Sequence, residues 1–155
     1  MQMSEDENIK IFIDRSFKDP VAGLLLKHSN LTKTQFETLI IDLVSDHLTD
    51  IAITYKDKAI LRSKKVSRGA FSRTLSQARK NIISALYTIL LLSYIGFLGE
   101  TPFEEYQLLS IKLKEYVKMV QYSDQIQARE VLIRIEKVLR EGIKQLSEPR
   151  HLRLV

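Results

Sequence analysis

Apolar residues recur along the chain at three- and four-residue intervals, the spacing of one helix face, and strand-like alternation is scarce. Ile9 to Asp14, IKIFID, is the one plausible alternating strand, and it could equally open a short helix. Asp19 before Pro20 reads as a cap and a first-turn proline, predicting a short helix to about Lys27. Thr32 and Gln35 fit a capping box. The helix they start is expected to carry Phe36, Leu39, Ile40, Leu43 and Val44 on one face and to end near Leu48 or Thr49. A further helix is expected around Asp50 to Arg62, with Ile53, Ile60 and Leu61 apolar, although its β-branched opening, IAITY, leaves strand character open. Ser67 then caps a helix whose inner face is Phe71, Leu75, Ala78 and Ile82.

No proline interrupts the run from there to Gly96, so this helix and the uncharged stretch after it are predicted to be one element. That stretch, Asn81 to Gly99, reaches the lower range of a membrane-spanning helix. Asn81, Ser84, Tyr87, Thr88, Ser93 and Tyr94 interrupt it, and a core helix covered by neighbours on every side produces the same text. The core helix is the reading adopted, with the membrane span as its alternative. Thr101-Pro102-Phe103-Glu104 combines a capping box with a first-turn proline. It opens a helix with Tyr106, Leu109, Leu113, Tyr116, Val117 and Val120 on one stripe. Ser123 and Asp124 start the last helix, with Leu132, Ile135, Leu139, Ile143 and Leu146 inward, and the two are expected to form an antiparallel hairpin. Pro149 stops it, leaving a loose tail to Val155.

Composition narrows the class. A chain of 155 residues, 45% hydrophobic and 28% charged, suits one domain, or a small domain with a helical extension. Cysteine is absent, which removes disulfides, thiolate metal sites and thiol catalysis. The N-terminus starts acidic and lacks a basic segment before an apolar run, so no secretory signal is expected and the cytoplasm is the expected location. Charge is unevenly placed. Lys56, Lys58, Arg62, Lys64, Lys65, Arg68, Arg73, Arg79 and Lys80 stand against one acid, Asp57, giving +8 between Lys56 and Lys80 in a chain of net +5. The rest therefore sums to −3. A local concentration of Lys and Arg is what a phosphate backbone rewards, because each contact releases condensed counterions.

Within that window, Val66-Ser67-Arg68-Gly69, Leu75-Ser76 and Ala78-Arg79-Lys80 resemble the recognition half of the helix-turn-helix in the DNA-binding fourth region of sigma factors. The resemblance is strong over the 17 residues from Val66 to Ile82. Upstream, Leu31-Thr32, Gln35 and Leu39-Ile40-Ile41 look like the first helix of the same domain. Lys64 and Lys65 stand where the family usually has a hydrophobic residue and the turn glycine. The resemblance implies a turn followed by a helix lying in the major groove. It leaves RNA polymerase contact possible, without support elsewhere in the chain. The residues point the same way: Phe71, Leu75 and Ala78 anchor the helix, leaving Arg68, Ser72, Arg73, Ser76 and Gln77 for base edges and phosphates. The candidate DNA-binding set is thus Lys64, Lys65, Ser67, Arg68, Ser72, Arg73, Ser76, Gln77, Arg79 and Lys80.

The expected fold is all-α: a helix-turn-helix DNA-binding core with a long central hydrophobic helix (residues 1–99), a C-terminal antiparallel helical hairpin (100–148) and a tail (149–155). The expected partner is double-stranded DNA. A homodimer is expected through the Tyr106–Val120 and Leu132–Leu146 helices, since dimers double the base contacts and set half-sites about 34 Å apart. The alternative is a non-enzymatic helical adaptor, membrane-associated if Asn81–Gly99 spans a bilayer. His28, His47 and His151 are scattered, so no metal is expected. Asp42, Asp46 and Asp50, one turn apart, read as a solvated acidic face. Glu100, Glu104 and Glu105 fit helix-dipole stabilisation at a helix start. With no glycine-rich phosphate loop and no serine–histidine–acid set, neither catalysis nor a cofactor is expected. Tyr87 and Tyr94, seven apart, read more readily as a dimer or domain core than as a ligand box.

Overall fold

Side-chain caps set the starts of most helices. The computed structural model describes residues 4–48, 53–98, 102–122 and 124–147, all-helical with no strand among them. The order is α1 (Glu5–Lys18), α2 (Pro20–His28), α3 (Lys33–Leu48), α4 (Tyr55–Ile60), α5 (Arg68–Tyr94), α6 (Pro102–Gln121) and α7 (Gln125–Ser147). Ser4 and Glu7 form a reciprocal capping box on α1. The Ile9–Asp14 stretch is therefore helical, and Ile9 and Ile13, four apart, are buried while Ile11 and Phe12 point outward. The Asp19 carboxylate accepts the Val21 and Ala22 amides at 2.9 and 3.3 Å, starting α2 at Pro20. Thr32 and Gln35 close the expected box at 3.0 and 3.1 Å. Thr54 caps α4, and Asp124 accepts the Gln127 amide at the start of α7. The proposed fourth helix is thus shorter than expected, beginning at Tyr55; residues 49–52 lie outside the described residues, as do 99–101, 123 and 148–155.

The chain divides into two units, Met1–Ser84 and Ala85–Val155, with the boundary inside α5. In the first unit, Ile9 and Ile13 of α1 pack with Ile40, Ile41 and Val44 of α3, Ala59 and Leu61 at α4, and Phe71 and Leu75 of α5. Phe36 and Leu39 join this core from its edge. Leu43, expected on the same face, is exposed instead. The reason is that α3 buries a second, polar face: Gln35, Thr38, Asp42 and Ser45, at intervals of three and four, are all buried.

In the second unit α6 and α7 pack on one another. Leu113, Ile135 and Leu139 are buried, and Tyr106, Leu109, Tyr116, Val117, Val120 and Leu132 are half-buried, whereas Ile143, expected inward, is exposed and the Leu146 side chain lies outside the described residues. Helix α5 is one element, as its sequence predicted, but it stops at Tyr94. Gly96 takes the left-handed conformation (φ 75°), with its amide on the Ser93 carbonyl and the Phe97 amide on that of Leu92, a Schellman ending. The uncharged run is not a helix covered on every side. Ala85, Ile89 and Leu92 on one face are half-buried, while Ile83, Leu86, Tyr87, Leu90, Leu91 and Tyr94 on the other are each more than half exposed. Among the described residues no helix is long and apolar enough to cross a membrane.

Candidate nucleic-acid interface

The first four turns of α5 are seated by a fixed inner face. The Ser67 hydroxyl accepts the Ala70 amide at 3.1 Å and the Ser67 carbonyl accepts that of Phe71 at 3.0 Å. Phe71, Leu75 and Ala78 follow at intervals of four and three and are fully buried or nearly so; Ile82, the next expected position, is partly exposed. The Phe71 ring meets that of Tyr55 on α4, with centroids 6.0 Å apart. Further along, the Asn81 side chain donates to the Asn30 carbonyl and to Gln35 Oε1, and the Asn30 side chain donates back to the Asn81 carbonyl. These bonds fix both the rotation and the height of α5 on the unit. What remains outward is set by helical periodicity.

Three of the nine bases in the Lys56–Lys80 window are held by acids on α3. The Lys58 ammonium is buried between Asp42 (2.9 Å) and Asp46 (2.6 Å), above the Tyr55 ring. The Arg79 guanidinium, half exposed, reaches the other oxygen of Asp42 at 2.8 Å and braces α5 against α3. Arg62 pairs with Glu37 at 3.2 Å with both side chains buried, and the same carboxylate accepts the Ser63 amide at 2.6 Å. Of the acids read as a solvated face, Asp46 is exposed, Asp42 is not, and Asp50 lies outside the described residues. Asp42 is buried, because two cations from α4 and α5 replace its hydration.

This cluster makes a pH-dependent contribution to stability. Burial opposes the Lys58 charge, but hydrogen bonds to Asp46 and Asp42, with their negative charges, outweigh it and raise the pKa above the usual 10.5. A group whose pKa is higher folded than unfolded stabilises fully below its unfolded pKa, and that contribution is lost as pH rises through the folded value. Urea midpoints should therefore fall as pH is raised from about 9 to about 12, with part of the fall missing in Lys58→Met. Equal losses in the two proteins would refute this origin.

The remaining window bases are Lys56, Lys64, Lys65, Arg68, Arg73 and Lys80, all exposed and with no ion pair among the described residues. Lys64 and Lys65 lie in the turn between α4 and α5, whose path is held by Glu37 below and by the Val66 amide on the Ala59 carbonyl. Arg68, Arg73, Ser76 and Lys80 are exposed on α5, and Ser72 is half-buried. Ser67 is engaged as the cap, Gln77 donates to Asn81 Oδ1 at 3.1 Å, and Arg79 is held by Asp42. Of the ten sequence-derived residues, seven are therefore without a side-chain partner in the fold among the described residues: Lys64, Lys65, Arg68, Ser72, Arg73, Ser76 and Lys80.

Two cations that the sequence did not single out adjoin them. Lys10 and Lys33 line with Lys65 an open cleft of about 670 Å³, together with Ile13, Phe17, Leu61 and the acids Asp14 and Glu37. Lys33 lies over the Phe17 ring, 5.5 Å from its centroid. Their separation from the window in sequence hid them; no local signal could have found them. No protein-family model, curated protein or solved structure matches this chain.

Proposed function

We propose that the protein binds double-stranded DNA with sequence selectivity and acts in transcriptional regulation, through a helix-turn-helix made by α4, the turn at residues 61–67 and α5. One observation carries this reading. The window's bases divide into three locked onto α3 and a set left exposed on the turn and the outer face of α5. A basic helix serving stability alone has no reason to keep Arg68, Arg73 and Lys80 beside Ser76 and clear of the acids nearby. In this reading Arg68, Arg73 and Ser76 approach base edges, while Lys64, Lys65 and Lys80 meet phosphates, with Lys10 and Lys33 extending the basic surface. The α6–α7 pair is then an antiparallel hairpin that carries no DNA contact.

Selection from a random duplex pool at two salt concentrations tests it. Enrichment of a defined site, with affinity falling steeply as salt rises, is the expected result. Arg73→Ala should cost about 1–3 kcal/mol of binding and relax the preference at one base position; Lys65→Ala should weaken all sequences alike. Absence of binding to any duplex at low salt would leave a non-enzymatic helical adaptor, a second reading favoured by the exposed apolar face of α5 between Ile83 and Tyr94.

A further inference from the structure

The second half of α5 carries an exposed apolar surface. Ile83, Tyr87, Leu90 and Tyr94 follow one another at intervals of four, three and four, the heptad seam of a paired helix. Leu86 and Leu91 flank that seam. All six are exposed, from 52% at Ile83 to 88% at Tyr94. The opposite face, with Ala85, Ile89 and Leu92, is half-buried, so the exposed apolar side chains are gathered on the seam side of the helix. We infer that this face is the contact between two copies of the chain.

Three features select a second copy over other occupants. The stretch from Asn81 to Gly99 contains no charged residue, so two identical faces meet without like-charge repulsion, as an isologous contact requires. Helices that lie in a membrane surface instead carry Lys or Arg along their polar face, and residues 81–94 have neither. Area also suffices. Six large side chains exposing on the order of 100 Å² each provide about 600 Å² a copy, or roughly 1,200 Å² in all, the lower edge of a specific interface. The expected stripes of α6 and α7 are mostly buried or half-buried, and the other exposed apolar residues of α6, Leu108, Ile111 and Met119, are interleaved with Lys112, Lys114, Glu115 and Lys118, unlike the uncharged face of α5. Tyr87 and Tyr94 suit such a contact, since their rings add area while each hydroxyl can stay at the wet edge.

This inference goes beyond the DNA reading and does not depend on it. The test is sedimentation equilibrium of the full chain without DNA, at about 1 to 100 µM, because interfaces near this size range from micromolar affinity upward. The expected result is a dimer for the native sequence. Leu90→Glu and Tyr87→Glu should be monomeric with unchanged helical circular dichroism, while Leu108→Glu, at an exposed apolar position of α6, should remain dimeric. Tyr87 is 68% exposed, so its replacement tests the surface even if Leu90→Glu fails to fold. A native chain monomeric at the highest concentration overturns the inference, and co-sedimentation of that monomer with anionic phospholipid vesicles would assign the face to a membrane. A dimer that survives both α5 substitutions, or one that Leu108→Glu disrupts, overturns it equally. Failure to bind any duplex would leave the dimer standing, and a monomer would leave the DNA reading standing.

Discussion

Replacing Glu37 with alanine is expected to destabilise the first unit by about 3–5 kcal/mol, a large fraction of the stability of a domain this size. Its carboxylate sits with Arg62 in a pair buried on both sides and also accepts the Ser63 amide. Its removal leaves a buried guanidinium without its counter-ion and an amide without its acceptor. Glu37→Gln should lose less, because a side-chain carbonyl can still accept from Ser63 even though the charge is gone. Urea unfolding followed by circular dichroism measures both variants. Hydrogen exchange should place the loss in α3, α4 and the start of α5 rather than in α6 and α7. An unfolding free energy within about 0.5 kcal/mol of the native value for Glu37→Ala would sink the assignment. The consequence reaches the proposed interface, because Glu37 holds the two residues that immediately precede Lys64 and Lys65.

Glu37 also marks where the sequence stops being legible. Helices α2, α3 and α5 were readable because their signals are local: Asp19 before Pro20, Thr32 with Gln35, and Ser67 ahead of a four-three spacing. Helix α1 held a signal that the alternation of Ile9, Ile11 and Ile13 obscured. Ser4 and Glu7 make a capping box just upstream, and Ile9 with Ile13 share a helix face as well as a strand face. Helix α4 has six residues, fewer than two turns, too short for a period to be read. The ion pairs that α3 makes with α4, the turn and α5 join residues 12 to 37 positions apart, and nothing local distinguishes Asp42 as a buried acid from Asp42 on a wet face. The polar stripe of Gln35, Thr38, Asp42 and Ser45 was visible as a period, but its meaning depends on what α4 and α5 bring to it.

The basic window sharpens for the same reason. Counted along the chain, its nine cations look equivalent. In the fold Lys58, Arg62 and Arg79 answer acids on α3, so a third of the charge is structural and the rest is available to a ligand. The uncharged run departs from its expectation in the opposite sense. A stretch without charge is expected inside, yet one of its faces is exposed, and that face is what a second copy would cover.

Phe71→Ala should likewise remove about 3–5 kcal/mol, since the ring is fully buried among α1, α3 and α4 and its loss leaves a cavity that helices held by ion pairs cannot readily close. Phe71→Leu, which keeps most of the volume, should lose about half of that or less. For a unit of this size the alanine variant corresponds to a fall in melting temperature on the order of 20 °C, and a fall below about 5 °C would contradict the packing described. Phe71 also separates seating from reading. It is buried while Arg73, two residues on, is exposed on the same helix. Phe71→Ala should therefore lower thermal stability and duplex affinity together, whereas Arg73→Ala should lower affinity at an unchanged melting temperature. If Arg73→Ala melted early as well, its side chain would belong to the fold, and the outer face of α5 would lose its strongest claim to a base edge.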